Sequence, residues 1–311
     1  MMGLYDRTAE LFQAALRRWI AGDVTVDAIV TLPRVAQDYS GSVVRFYQVS
    51  YHTSDCSAKV QLVTKDSSVY ERQILSLLDT QAHSNVPLTY SLDMHTRELQ
   101  LLCQENAGER TQLSDSHIAT VAQASATNHT INANAPYLPW MRRLTSATFF
   151  TWWQPVWDQA CANTSFIHEF ELYIQPIEQA AQRFATIIDR FWQDNLCVTV
   201  LHTDLSPWHV LIRDDQPYII DWEQTRYGPL YLNLVNFFTL RTVSLYYEAA
   251  RNAGFAVTYK AFMEKFHAAW AFVGLKYMVP PLLAWKDEPQ ESRQQLHALL
   301  PRAIATHAPV E

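Results

Sequence analysis

"LHTDLSPWHVLIRDDQPYIIDW", residues 201–222, places His202, Asp204, His209 and Asp221 around two short apolar runs, HVLI (209–212) and PYII (217–220). The runs are strand-like and the RDDQ between them is a polar turn, so the stretch predicts an antiparallel hairpin. In such a hairpin the residue entering the first strand lies beside the residue leaving the second. His209 is therefore expected beside Ile220 and Asp221, and the loop bearing His202 and Asp204 enters at the same end. Any one of these polar residues is explained well enough as turn decoration. The set is harder to explain that way. With Pro207, Trp208 and Trp222 beside it the place is partly enclosed, where carboxylates are costly without a metal or another cation.

Upstream, residues 5–21 carry Leu11, Ala14, Ala15 and Ile20 near a helical period. Between 28 and 65 come β-rich runs, AIVTL, SVVRFYQVSY and KVQLVTK, the last two joined by polar HTSDCSA. A helix follows in SSVYERQILSLLDT, with Tyr70, Ile74, Leu77 and Leu78 on one face. VPLTYSLDMHTRELQLLCQE then gives two more strands and ends a small mixed domain near Glu105. Beyond ENAGER the chain reads as mainly helical. One helix spans 114–130 behind a Ser114-Asp115 cap, a second spans about 169–193 closed by Asn195, and more helices follow 231.

The bulk numbers fit this picture. The chain has 311 residues, is 49% hydrophobic and 18% charged, and carries a formal net charge of −7. That length and apolar content allow one domain or two lobes, and the negative charge argues against a nucleic-acid partner. Cys56, Cys103, Cys161 and Cys197 form no CxxC pair, so neither a disulfide framework nor a zinc ribbon is expected. No run is long and apolar enough for a membrane span. A cytoplasmic protein with no membrane partner is the expectation.

The pattern H-x-D-x-x-x-x-(N/H), two short strands, then I-D-W resembles the aminoglycoside phosphotransferase and choline kinase superfamily. The resemblance implies a bilobal, protein-kinase-like α+β fold: a small β-rich nucleotide-binding lobe, 1–104, and a larger mainly helical lobe, 105–311. It implies Asp204 as the catalytic aspartate, His202 as the histidine that opens the catalytic loop, and Asp221 as the metal-binding aspartate. His209 replaces the commoner asparagine as second metal residue. That variant is similar to the one in macrolide 2′- and aminoglycoside 2″-phosphotransferases. Thr203 stands for the usual glycine, and Asn233 for a common downstream aspartate.

The same resemblance gives roles to the upstream half. Lys65, ending VQLVTK, would hold the nucleotide phosphates and Glu71 would orient it. By themselves the two are ordinary choices for a strand end and a helix start. Ser40-Gly41-Ser42 would form the phosphate-covering turn, and the backbone near Gln104 and Glu105 would meet the base. His129 matches a packing histidine. The implied co-substrate is ATP or GTP, with Mg²⁺ or alternatively Mn²⁺. The implied partner is a small-molecule acceptor, and a monomer or a homodimer would serve.

The acceptor itself stays open between an antibiotic such as an aminoglycoside or macrolide, a choline-like amine and another metabolite. Tyr137, Trp140, Phe149, Phe150, Trp152, Trp153 and Trp157 are either lobe core or an aromatic-lined cleft. Asp158, Glu169, Glu171, Glu223 and Glu248 are the carboxylates that a polycation would need to find converging. The segment 131–168 looks like a variable insertion around the acceptor. Two rival readings use the same residues: a nucleotide-binding module without transfer, motivated by His209 and Thr203, and a metallohydrolase ligated by His202, Asp204, His209 and Asp221.

Overall fold

The computed structural model describes residues 4–20, 22–37, 43–81, 83, 85–133, 138–194, 198–287 and 289–305. The chain separates into two units. The first comprises Met1–Leu113 and Trp208–Gln224, the second Ser114–Pro207 and Thr225–Glu311. The sequence division at 104/105 leaves the hairpin with the helices, whereas by contacts it clusters with the N-terminal strands.

In the first unit, helix α1 (Leu4–Trp19) precedes strands β1 (Thr25–Gln37), β2 (Val43–His52) and β3 (Ser57–Ser67), then helix α2 (Val69–Thr80), β4 (Thr89–Ser91) and β5 (Gln100–Glu105). The sheet order is β1-β2-β3-β5-β4, antiparallel throughout. The HTSDCSA connection folds as expected, because the Thr53 hydroxyl accepts from the backbone N–H groups of Asp55 and Cys56 and closes the turn locally. Helix α1 buries Leu11, Phe12, Ala15 and Leu16 against Tyr47, Val49, Leu62 and Cys103 of the sheet. Each such large side chain contributes about 1.5–3 kcal/mol by leaving water. Strand register sets Lys65 opposite Leu102 and Val63 opposite Gln104.

The hairpin is β7 (Val210–Arg213) and β8 (Gln216–Ile219), with Val210 paired to Ile219. Asp214 and Asp215 both take positive φ, 51° and 60°. That is the type I′ turn, whose twist matches the flanking strands.

The second unit holds α3 (Asp115–Asn132), α4 (Ser146–Cys161), α5 (Thr164–Trp192), β6 (Val198–Leu201) and β9 (Arg226–Pro229), which pairs antiparallel with β6. It continues through α6 (Tyr231–Leu234), α7 (Val243–Asn252), α8 (Tyr259–Ala269), α9 (Ala271–Tyr277), α10 (Val279–Ala284) and α11 (Pro289–Ile304). Helix α4 lies inside the segment read as a variable insertion. Its Phe149, Trp153 and Trp157, four residues apart, stack at 5.8 and 5.5 Å between ring centroids. All three are buried against Phe166, Phe170 and Phe184 of α5. These aromatics are core, and Trp153 also borders a surface pocket with Gln154, Glu178 and Gln182. Tyr137 and the helix-closing Asn195 lie outside the described residues. Among the described residues no helix is long and apolar enough to cross a membrane.

His129 sits in this core, with its ring against the Tyr246 hydroxyl at 2.8 Å. Burial without a charged partner pushes its pKa down to about 3. The unfolded chain binds a proton at this histidine below its ordinary value near 6.5, and the folded chain does not. Stability should therefore fall as pH drops from about 6.5 toward 3, by up to about 1.4 kcal/mol per pH unit. Urea denaturation across that range would show it, and His129→Gln should flatten the slope. An unaltered slope in the variant would remove His129 from the acid response.

Candidate active site

Lys65 stands two residues before the end of strand β3 at Ser67, and helix α2 begins at Val69. Ser68 caps the helix, its hydroxyl accepting from the Glu71 backbone N–H, and so fixes the first turn. Arg72, fully buried, donates to the Ser67 carbonyl at 2.6 Å and ties the helix start to the strand end. Glu71 is thereby turned toward Lys65, at 2.6 Å from Nζ. Lys65 is 9% exposed and Glu71 2%. Burial works against the Lys65 ammonium, but attraction to Glu71 and Asp221 outweighs it and leaves the pKa raised. Burial raises the Glu71 pKa as well, opposed by its attraction to Lys65.

The hairpin completes this constellation. The Ile220 backbone N–H donates to the His209 carbonyl at 3.0 Å, so the expected adjacency is present. Asp221, at φ +65°, turns its side chain toward both neighbours: Oδ1 is 3.7 Å from Lys65 Nζ, and Oδ2 is 3.6 Å from His209 Nε2. Oδ1 is buried and accepts no hydrogen bond. Such an oxygen costs about 1–3 kcal/mol in desolvation unless a ligand meets it. A divalent cation would meet it, so the site fits one. Asp221 supplies the hard oxygen and His209 a softer nitrogen. Among the described residues no group of three or more His, Cys, Asp or Glu could hold a metal by itself. Further ligands would have to come from a substrate or water.

Lys65, His209 and Asp221 line a cavity of about 570 Å³ within the first unit. Val44, Phe46 and Val63 of the sheet and Leu211 and Ile220 of the hairpin give it apolar walls, while Gln104 and Glu105 lie on its rim with Asn106–Gly108. That volume and mixture suit a nucleotide-sized molecule. Glu105 is drawn to Arg213 at 2.7 Å, and Arg213 also donates to the Asn106 carbonyl. The Arg110 guanidinium lies 4.9 Å from the centroid of the Trp208 ring. Ser40, Gly41 and Ser42 lie outside the described residues.

Gly108 has φ +96°, and a Cβ there would stand 2.0 Å from the Ile212 carbonyl oxygen. The close approach lets Glu109 exchange backbone hydrogen bonds with Ile212, tying the rim to the hairpin. Gly108→Ala should destabilise the protein by about 3 kcal/mol, combining left-handed strain with overpacking. A melting temperature equal to that of the parent would show that the rim can yield.

Asp204 belongs to the second unit, in the loop leaving β6. His202, 1% exposed, accepts the Asp204 backbone N–H on Nδ1 at 3.3 Å and so shapes the loop. Thr203 takes φ +60°, a strained conformation for a β-branched residue and one that a glycine would adopt freely. It is held there from several sides. Its N–H donates to Asn233 Oδ1 at 3.0 Å, and its carbonyl accepts from Asn236 at 2.7 Å and from Lys276 at 2.8 Å. Asn233 also directs its amide N–H₂ at His129 Nε2, 3.4 Å away. An amide can serve a backbone donor on one end and a neutral imidazole on the other, which an aspartate cannot.

Asp204 has two partners that the sequence reading did not foresee. Lys276 Nζ lies 2.5 Å from its Oδ1, and the Tyr277 hydroxyl donates to the same oxygen at 2.9 Å. Both come from α9, which Gly274 allows to press against α11: a Cβ there would meet the Ala303 backbone N at 2.2 Å. The available signal was that Lys276 is the lone charge between 271 and 285. Such a lysine needs a buried partner.

A lysine–glutamate pair on a strand and a helix thus stands beside an aspartate leaving a hairpin. The sequence matches the model of the phosphotransferase enzyme family over residues 17–273. The chain belongs to that family. Its fold is protein-kinase-like, with an antiparallel sheet in the N-terminal region and helices in the C-terminal region. Similar solved structures include spectinomycin phosphotransferase APH(9)-Ia in complex with ADP and spectinomycin, 13% identical, covering 95% of this chain and 97% of that one, TM-score 0.56. Choline kinase from Cryptosporidium parvum is 12% identical over 86% of this chain and 88% of that one, TM-score 0.60. Amicoumacin kinase hAmiN, in complex with AMP-PNP, Ca²⁺ and Ami, is 11% identical over 89% and 87%, TM-score 0.54. No curated protein sequence matches the chain at a significant level.

Proposed function

We propose that this phosphotransferase moves the γ-phosphoryl group of ATP or GTP to a hydroxyl of a small-molecule acceptor. The observation that carries the reading is the buried Lys65–Glu71 pair beside Asp221, with Lys65 and Asp221 lining a cavity of nucleotide size. Lys65 pairs with the nucleotide phosphates, and Glu71 keeps its ammonium in place. Asp221 and His209 would hold Mg²⁺, which neutralises phosphate charge when bound. Asp204 orients the acceptor hydroxyl and takes its proton. The new O–P bond forms as the β,γ-bridging O–P bond breaks, and the nucleoside diphosphate leaves with the electron pair. Little covalent work is left to the protein, so positioning and charge compensation carry the rate.

The three similar structures are named for three different compounds, spectinomycin, choline and amicoumacin. The acceptor is therefore a matter for direct assay. A screen with ATP and GTP against aminoglycosides, macrolides, choline, sugars and homoserine should reveal nucleotide-dependent phosphorylation. Nucleotide binding without transfer to any acceptor would instead favour a binding module.

A further inference from the structure

We propose that Lys276, with Tyr277 fixing the same carboxylate oxygen, sets the charge on the acceptor side of this chain: by neutralising Asp204 it selects a hydroxyl carried by a neutral or anionic molecule over one carried by a polycation. The inference rests on the phosphotransferase reading and narrows its substrate class. Lys276 contacts Asp204 Oδ1 at 2.5 Å and the Thr203 carbonyl at 2.8 Å, and Tyr277 donates to the same carboxylate oxygen at 2.9 Å. The contacts are enclosed, with the Lys276 side chain 20% exposed and Asp204 26%. Ion pairs shielded from water in this way are weakly screened by salt. Burial holds the Lys276 pKa below the ordinary lysine value even though Asp204 pulls it upward, and Arg226 is a second cation near enough to add to the lowering.

A site meant for a polycation would present carboxylates with charge to spare. Here the acid that meets the hydroxyl already has its counter-ion, built into the fold. Nor is it reinforced by the four acids of this unit that a polycation would need to find converging. Glu169 is engaged by Arg293 at 3.3 Å and His297 at 3.2 Å. Asp158 accepts from Gln154 of its own helix, and Glu171 and Glu248 are exposed on α5 and α7. None of these four pairs with Asp204. An ammonium beside the reacting hydroxyl would thus meet a carboxylate whose charge Lys276 already offsets, and gains little attraction from it.

The test follows nucleoside diphosphate release with hydroxyl acceptors matched in size and graded in charge: hydroxy acids, neutral sugar alcohols, amino sugars and quaternary amino alcohols. Release without acceptor is the baseline. Neutral or anionic members should raise the rate in the wild type, and cationic members should not. Lys276→Met should shift the ratio of kcat/KM at least tenfold toward cationic members, while Lys276→Arg, which keeps the charge, should hold the wild-type ratio. A wild type that prefers cationic acceptors, or an unchanged ratio in Lys276→Met, overturns the charge assignment and leaves the kinase reading intact. If no acceptor raises the rate and Lys65→Ala matches the wild type in nucleotide binding, both readings fall.

Discussion

Asp204→Asn lowers kcat about 10²- to 10⁴-fold, the range for loss of a positioned proton acceptor, and leaves nucleotide affinity unchanged. The asparagine keeps the shape and can still accept from the Lys276 ammonium and the Tyr277 hydroxyl, both of which lie on Oδ1. It cannot take a proton from an acceptor. Asp204→Ala should show the same loss in turnover with a further loss of stability, because Lys276 and Tyr277 then lose the acceptor oxygen that the asparagine keeps. Steady-state kinetics on an acceptor found by screening, alongside calorimetric titration with nucleotide, separate the two effects. Turnover near the wild-type value in Asp204→Asn would show that another group receives the proton.

The second large effect is expected at Lys65. Lys65→Met strands Glu71, 2% exposed, and removes the cation nearest Asp221 Oδ1. Breaking one side of a buried pair costs about 3–5 kcal/mol, moderated here by protonation of the abandoned acid. The double variant Lys65→Met/Glu71→Leu should regain most of that stability, since it removes the uncompensated charge as well. Neither variant should bind nucleotide with metal. Chemical denaturation reads the first quantity and titration calorimetry the second. Because the Lys65 pKa is raised, its contribution is complete at neutral pH and is lost only as pH climbs past the ordinary lysine range. Nucleotide binding retained by the single variant would detach Lys65 from the phosphates.

Much of this arrangement was legible in the amino-acid order. The 201–222 stretch specified a hairpin through its two apolar runs and its RDDQ turn, and the observed pairing of Val210 with Ile219 follows directly. Lys65 and Glu71 are six residues apart across one strand end and one capped helix start, so their meeting is a local event. The positions of Thr203 and Asn233 were visible as departures from a family pattern. Their reason was not: Thr203 tolerates a left-handed backbone because Asn233, Asn236 and Lys276 grip it from elsewhere in the chain. The aromatics of α4 could have lined a cleft or filled a core, and only packing against α5 decided for the core.

By itself, then, the sequence determined the local devices: a hairpin aiming His209 and Asp221 together, a capped helix presenting Glu71 to Lys65, and the family pattern they spell. Tertiary structure alone decided what surrounds Asp204, because Lys276 and Tyr277 reach it across more than seventy residues of chain. Local propensity and period fix neighbours within an element or a turn. Long-range partners depend on how whole helices pack, and no short-range pattern encodes that.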